Sequence, residues 1–463
     1  MRPGTIPTLW LVLTLIFIKG ILFVVLLPPW QGPDEPTRFE AVYLTAHGPW
    51  WPPAYTPEPT LQSRIVDSMR QFQSWKFYDR QEPPATIHTL TEANLPSGPS
   101  ILYEPAATYF PFTWLIRLLP QKDILSCLYA GRFLSLVLHI ACTLIVASMA
   151  HSLFISQTSD LPGLAVTLIY GLHPQLSFLA GSLHADNLGY LLSAAILYLV
   201  IAAAQKIPFT SMKSWGLLVL VLLPLTGLSA YLVRKMVILI PFTLISLPIL
   251  FWPKLKQKGR LEAVSAIGLF FMGMAVFSSF FLYRHPELVG WRVLENPHLA
   301  RVEDLTQISF GVWLRYLLVL FTTFWMALGS LVYKLSLGWM VFLALSFVAV
   351  LVGWVNQIRT GMVRMLRQTT CCSSPFWIHG LWTFLVFLSV FMAYGPHRPN
   401  PEGRYLLSAM PSLSLFWFFG LAGLAFLFPE GSSQFVLRLW GATTMLLSLA
   451  VLFSCLIPFF YLS

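Results

Sequence analysis

Stretch after stretch of this chain runs for about 20 residues with scarcely a charge, which is the length a helix needs to cross the ~30 Å hydrocarbon layer of a bilayer. Such stretches lie near 8–28, 128–150, 161–181, 187–204, 215–232, 236–252, 263–283, 335–355, 376–394, 405–428 and 434–460. In hydrocarbon a backbone has no water to bond with, so runs of this length close their own hydrogen bonds as helices, giving roughly eleven spans. The expected fold is all-α, a polytopic integral membrane protein with residues 1–463 forming a single transmembrane domain. Composition agrees, since 56% hydrophobic against 10% charged residues is not the make-up of a water-soluble globule.

The first span has no small-residue cleavage site behind a short apolar core, and it reads as a retained signal-anchor. Lys19 lies in the middle of it and must either snorkel or find a buried acceptor. The formal net charge of +10 is carried by Lys and Arg in short loops between spans rather than on a continuous basic face. It therefore points to the positive-inside rule, not to nucleic acid. Lys254, Lys256, Lys258 and Arg260 form the densest basic cluster and Arg359, Arg364 and Arg367 the second. Placing both in the cytoplasm puts the N terminus inside and the C terminus outside the cell membrane. Five cysteines, Cys127, Cys142, Cys371, Cys372 and Cys455, are scattered and imply no disulfide framework.

Two apolar segments fit this topology only if they do not cross. Residues 105–119 reach just about 22 Å as a helix and contain Pro111, so an interfacial helix is expected there. The stretch 309–333 is expected to be interfacial or re-entrant, within a second extracytoplasmic loop at 284–333. The first extracytoplasmic loop, 29–127, is far longer than a connection needs, which is the mark of a functional segment. Its Pro-rich stretches argue against a separate globular domain, while 61–77 is expected to form a short helix on the membrane surface with Ile65, Met69, Phe72 and Trp75 on one face.

On this topology Asp34 and Glu35, Asp186, Arg234 and Lys235, the 284–308 loop and Arg404 all fall on the outer side. Asp34 and Glu35 leave the first span directly, and a carboxylate held at the mouth of a membrane helix can deprotonate a hydroxyl where a lipid-borne substrate lies. Asp34 is the expected general base. Glu35 would assist it, orient it, or hold a divalent metal ion together with Asp186; a metal site of Asp34 with Asp186 is the other form of that expectation. The plainer reading is two solvated acids capping a turn between Pro33 and Pro36. Arg234, Lys235 and Arg404 suit the phosphate of a lipid near the headgroup plane, or serve as snorkelling anchors. Asp186, with His184, either joins the site or caps the next helix beside Asn187. His397, Arg398 and Glu402 add polar groups to the last outer loop.

The order Pro33-Asp34-Glu35-Pro36, Tyr103-Glu104-Pro105-Ala106-Ala107-Thr108-Tyr109, Arg132, His173-Pro174-Gln175 and Ala185-Asp186-Asn187 resembles the GT-C superfamily of polytopic glycosyltransferases. It looks similar to a bacterial group of predicted membrane glycosyltransferases whose pattern also has a Phe-Trp near a Gly, here Phe324-Trp325 and Gly329, and a Gly-Arg-Tyr, here Gly403-Arg404-Tyr405. The resemblance runs nearly end to end. Departures are Pro36-Thr37-Arg38 after the acid pair and Glu104-Pro105-Ala106-Ala107 in the interfacial helix. What it implies is a GT-C-like fold and inverting transfer of a sugar from a polyprenyl-phosphate donor to a glycan, lipid or protein acceptor of the cell envelope. Tyr103, Glu104, His184, Asp186, Trp325 and Tyr405 would then line the substrate cavity, with Phe324-Trp325 shaping a lipid or sugar groove. Rival readings are a polymerase or ligase of lipid-linked glycans, a transporter with polar groups at the bilayer midplane, and an assembly protein. Nothing resembles a nucleotide-binding loop.

Overall fold

The computed structural model describes residues 5–48, 57–77, 87–92, 106–120, 123–154, 160–206, 212–233, 236, 238–255, 309–325, 327–328, 333–334, 337–359, 373–393, 403–425 and 449. Its long helices follow the apolar stretches: α1 (Thr5–Leu26), α5 (Ile124–Leu153), α8 (Asp186–Lys206), α9 (Met212–Leu232) and α10 (Leu239–Leu255). Between them come α2 (Glu35–His47), α3 (Pro59–Gln71), α4 (Phe110–Leu118), α6 (Leu161–Gly171) and α7 (Pro174–Ala180). The later helices are α11 (Phe310–Trp325), α12 (Leu337–Arg359), α13 (Ser373–Ala393) and α14 (Met410–Ala425), the last entered through a 3₁₀ turn at Gly403–Ala409. A two-residue antiparallel pairing, Ala327 with Lys334 and Leu328 with Tyr333, follows α11.

Among the described residues five helices are long and apolar enough to cross a membrane, or six if the bent pair α6–α7 is one span. The six correspond to the stretches expected at 8–28, 128–150, 161–181, 187–204, 335–355 and 405–428. The stretches at 215–232, 236–252 and 376–394 are helical, as α9, α10 and α13. Those at 263–283 and 434–460 lie outside the described residues, apart from Leu449.

α1 and α5 run antiparallel. Arg132, early in α5, donates to the carbonyls of Val24 and Leu27 at the end of α1, so the segment between them starts and finishes on one face of the bundle. That segment is more than a surface-lying loop. α2, α3, α4 and a 3₁₀ turn at Ser74–Phe77 enclose a core of their own with Trp30, Phe39, Val42, Ile65, Met69, Phe112 and Ile116 all buried. The face of 61–77 forms as expected at Ile65, Met69 and Trp75, with Phe72 partly buried, and it packs into this core. Prolines do not prevent this, because Pro36, Pro59 and Pro111 sit in the first turns of α2, α3 and α4, where a missing N–H leaves no bond unmade. Arg117 of α4 caps α2 by donating to the carbonyls of Thr45, Ala46 and Gly48 at 2.8–2.9 Å. Gln62 of α3 donates to Glu40 of α2 at 2.6 Å, and burial holds the Glu40 carboxyl above its ordinary range against the pull of that bond.

The span α6–α7 is bent by 59° at Leu172-His173, where Pro174 disfavours a helical residue before it. The carbonyls this bend releases are met by side chains. Lys19 Nζ donates to Leu172 O at 2.8 Å and His139 Nε2 faces Gly171 O at 3.4 Å. Of the two fates open to Lys19, the structure selects the buried acceptor.

α12 rests on α14 through a seam of small residues. A Cβ on Gly353 would collide with the Gly420 carbonyl oxygen, so the two backbones approach as only glycine permits. Trp354 and Asn356 donate across the same seam to the carbonyls of Phe416 and Gly423 at 3.0 and 2.9 Å, and Gln357 to Phe419. On the other side Trp382 of α13 donates to Ser408 O at 2.9 Å. Both contacts fix the turn that carries Arg404. Gly353→Ala should therefore force the helices apart and lower stability by on the order of 1–3 kcal/mol. Gly380→Ala, where a Cβ meets nothing within 4 Å, should leave the melting temperature in detergent unchanged or higher. Equal shifts for the two variants would rule out the seam as a point of close packing.

Candidate functional site

α1 ends at Leu26, and the turn that follows is built against backbone preference. Trp30 and Asp34 both adopt left-handed conformations, at φ 70° and 57°. Asp tolerates that region better than most residues, but a bulky Trp there stores on the order of 1–3 kcal/mol of strain. Trp30 is held by edge-on packing against Phe39 at 5.3 Å and a 2.9 Å hydrogen bond to Ser68 Oγ. Turning the chain this sharply delivers Asp34 and Glu35 in opposite directions.

Glu35 points inward and is fully buried, as is Arg132 of α5. Arg132 Nε donates to Oε1 at 2.8 Å and Nη2 to Oε2 at 2.6 Å, a paired fork on one carboxylate. The remaining capacity of Glu35 is filled by the backbone amides of Gly32 at 3.1 Å and Leu183 at 3.0 Å. Arg132 also donates to Pro28 O at 2.8 Å. This clasp joins α1, α2, α5 and the loop after α7. It corrects the picture of Glu35 as an accessible acid: of the three roles expected of it, only orienting Asp34 is compatible with a carboxylate sealed on all sides.

Asp34 points the other way and keeps 27% of its side-chain surface exposed. Its Oδ2 lies 3.5 Å from Arg38 Nη2, one helical turn along α2, and 3.5 Å from Arg404 Nη2. Both guanidinium groups are deeper than the carboxylate they flank, at 4% and 11%. Arg404 is placed by its neighbour Gly403, whose amide donates to Thr323 Oγ1 and whose Cα lies where a Cβ would collide with Leu320 O. The guanidinium stands over the Tyr405 ring, 5.3 Å from its centroid, and the Arg404 carbonyl accepts from the Tyr190 hydroxyl at 3.4 Å.

Tyr190 lies one turn into α8, whose first residue is Asp186, and its hydroxyl reaches the Arg404 carbonyl, so the start of α8 borders the turn that carries Arg404. Asp186 begins α8, and its amide donates to His184 Nδ1 at 3.2 Å. That bond leaves Nδ1 an acceptor, so the 3.7 Å approach of the Asp186 carboxylate to the same nitrogen is not an ion pair while the ring is neutral. Asp34 thus faces two cations, Arg38 and Arg404, with the Tyr405 ring under Arg404 and the Tyr190 hydroxyl on the Arg404 carbonyl.

Of the residues expected at the site, Asp34, Arg404 and Tyr405 are in contact with one another, and His184 is in contact with Asp186. Trp325 does not join them. It is buried in an aromatic cluster at the bent span, stacked on His173 at 5.0 Å and edge-on to Trp417 at 5.3 Å, which makes it packing for the bend rather than cavity lining. Tyr103, Glu104, Arg234, Lys235, Gly329, His397, Arg398 and Glu402 lie outside the described residues. Two participants escape the sequence reading. Arg38 is four residues after Asp34 and Tyr190 four after Asp186, the spacing that puts side chains on one helix face, and that signal would have found both.

No three His, Cys, Asp or Glu side chains gather as a metal site among the described residues. The charges also do not fit one: Asp34 already faces two guanidinium groups, and both oxygens of Glu35 are taken by Arg132 and amides.

Truncating one member of a buried ion pair leaves the other charge stranded, at about 3–5 kcal/mol, whereas removing both is far milder. Arg132→Met and Glu35→Gln should each lower the melting temperature in detergent strongly, and the double variant should recover a large part of the loss. Additive losses in that cycle would mean that the two residues are not coupled.

The family described as a predicted membrane protein, DUF2142, matches residues 17–413. No curated protein matches. Two solved structures of ArnT from Cupriavidus metallidurans are similar at 12% identity, each over 98% of this chain and 74% of theirs: one in the apo state, TM-score 0.43, and one bound to undecaprenyl phosphate, TM-score 0.41. Likeness at that level is too slight to carry an assignment.

Proposed function

We propose that this chain, which belongs to the DUF2142 family of predicted membrane proteins, is an inverting glycosyltransferase that moves a sugar from a polyprenyl-phosphate donor to an extracytoplasmic glycan, lipid or protein acceptor. The observation that carries the reading is Asp34: a part-exposed carboxylate where the first span ends, set between two buried guanidinium groups from distant parts of the chain. That arrangement offers the two things such a transfer needs, a proton acceptor and a cradle for a phosphate.

In this reading the acceptor hydroxyl gives its proton to Asp34 as its oxygen attacks the anomeric carbon. The bond from that carbon to the phosphate oxygen breaks, its electron pair goes to the polyprenyl phosphate, and inversion follows from attack opposite the leaving group. Arg38 and Arg404 hold the phosphate and stabilise its growing charge, planar forks being matched to paired oxygens. Tyr190 and Tyr405 border the sugar's position, and Asp186 is a second acceptor for its hydroxyls. Tyr103, Glu104, Arg234 and Lys235 belong to the proposal on the sequence resemblance alone. The outward orientation rests on the basic loops. A glycan polymerase or ligase has less support, because it gives the Asp34–Glu35 pair no role.

One observation favours transport instead: a broken span with Lys19, His139 and His173 at its bend resembles a midplane solute site. Lys19 and His139, however, are engaged with the carbonyls that the bend exposes, which is a sufficient structural reason for them.

Asp34→Asn keeps the shape and the tolerance for left-handed backbone but removes the base. It should reduce sugar transfer by about 10²–10⁴-fold with expression and melting temperature retained. Arg38→Ala and Arg404→Ala should raise KM for the donor. Wild-type transfer by Asp34→Asn, in an assay of purified protein with a labelled polyprenyl-phosphate sugar, would remove Asp34 as the base.

A further inference from the structure

The geometry around Asp34 contains a conflict that points to how the site is used. A base must be available to the acceptor hydroxyl, and phosphate-binding arginines must be available to the donor. Here each occupies the other: a single oxygen, Asp34 Oδ2, is 3.5 Å from both Arg38 and Arg404. A carboxylate lying between two guanidinium forks is in the position and charge of a phosphate oxygen. Both arginines are nearly buried while Asp34 is the more exposed partner, so an incoming anion meets the carboxylate first. Arg404 is held from behind by the Gly403 turn and the Tyr405 ring, and Arg38 lies one turn into α2, whose N-cap is Asp34. Asp34 makes no side-chain capping bond to α2, so turning its carboxylate away from the two guanidinium groups breaks no helix cap.

We propose that Asp34 is the resident stand-in for the donor phosphate, and that binding of a phosphate group between Arg38 and Arg404 displaces it toward the acceptor. The proposal rests on the transferase reading and adds an order to it: donor first, then a competent base. Without donor, Asp34 stays neutralised by its arginines and does not activate water or a stray hydroxyl. With donor, the leaving group takes over both guanidinium groups and the carboxylate regains its full basicity at the moment it is needed. Displacement changes no bond; it exchanges one anion for another on the same two cations.

The exchange has a consequence of unusual sign. Removing a carboxylate thought to serve the donor's reaction should tighten donor binding, because a clamp closed on its own anion lowers apparent affinity by the fraction of time it is closed. Full-length protein in detergent micelles is titrated calorimetrically with a short-chain polyprenyl monophosphate. Asp34→Asn should bind on the order of tenfold more tightly than wild type, as for a clamp closed about nine-tenths of the time. Asp186→Asn removes an equal charge outside the clamp and should gain markedly less. Arg38→Ala added to Asp34→Asn should abolish the gain. Unchanged or weaker binding by Asp34→Asn, or equal gains from the two Asn variants, overturns the exchange while leaving the transferase reading in place. A parallel titration with inorganic phosphate separates the sources. If it shows the same gain and the lipid binds no better, the exchange stands and the lipid-carrier reading falls. If no variant binds either probe, both fall.

Discussion

Everything in the site is referenced to the buried pair between Glu35 and Arg132. Taking two charges out of water is worthwhile only when their remaining bonding capacity is met, and here it is. The glutamate accepts from both arms of the guanidinium and from two backbone amides, and the arginine adds carbonyls of α1 and of Pro28. Such a pair contributes less to net stability than to uniqueness, since any shift of α1 against α5 or of the loop after α7 would strand a charge in low dielectric. Four pieces of chain, among them Glu35 and Leu183 at 148 residues apart in sequence, are thereby given one permitted arrangement.

That arrangement explains the strain beside it. Trp30 and Asp34 adopt left-handed backbone because the chain must reverse from the end of α1 into α2 while sending one acid inward and the next outward. The packed helices of the first loop hold Trp30, and the clasp holds Glu35, so the residue between them has little freedom in its backbone and much in its side chain. Asp34 keeps about a quarter of its side-chain surface exposed. The second half of the molecule contributes Arg404, backed by Tyr405, and a seam of glycines and a tryptophan bond at Ser408 serve to fix the turn that carries them.

The bent span supplies a contrast in how a membrane protein uses polar residues. Lys19 and His139 sit deep among apolar helices, where ionisable groups raise the expectation of function. Their partners are backbone carbonyls released where α6 stops before Pro174, so they complete a broken helix. By the same test Arg132 completes a turn, while Arg38 and Arg404 meet a part-exposed acid. Polar residues of similar rarity are told apart only by what they touch.

The spans, and Asp34 and Arg404 as polar residues at span ends, were legible in the sequence, because hydropathy over about 20 residues is a one-dimensional property. The sequence could also name Arg132 as an oddity within a span. It could not say that Glu35, adjacent to Asp34 and identical in chemistry, is sealed against that arginine 97 residues away, since the direction a side chain takes out of a turn depends on φ at Trp30 and Asp34 and on packing behind them. Nor could it place Trp325, whose aromatic face suits a sugar groove and a helix bend equally well. Local pattern set which residues lie at the end of the first span; long-range pairing in a low-dielectric interior decided which carboxylate stays part-exposed and which holds the frame.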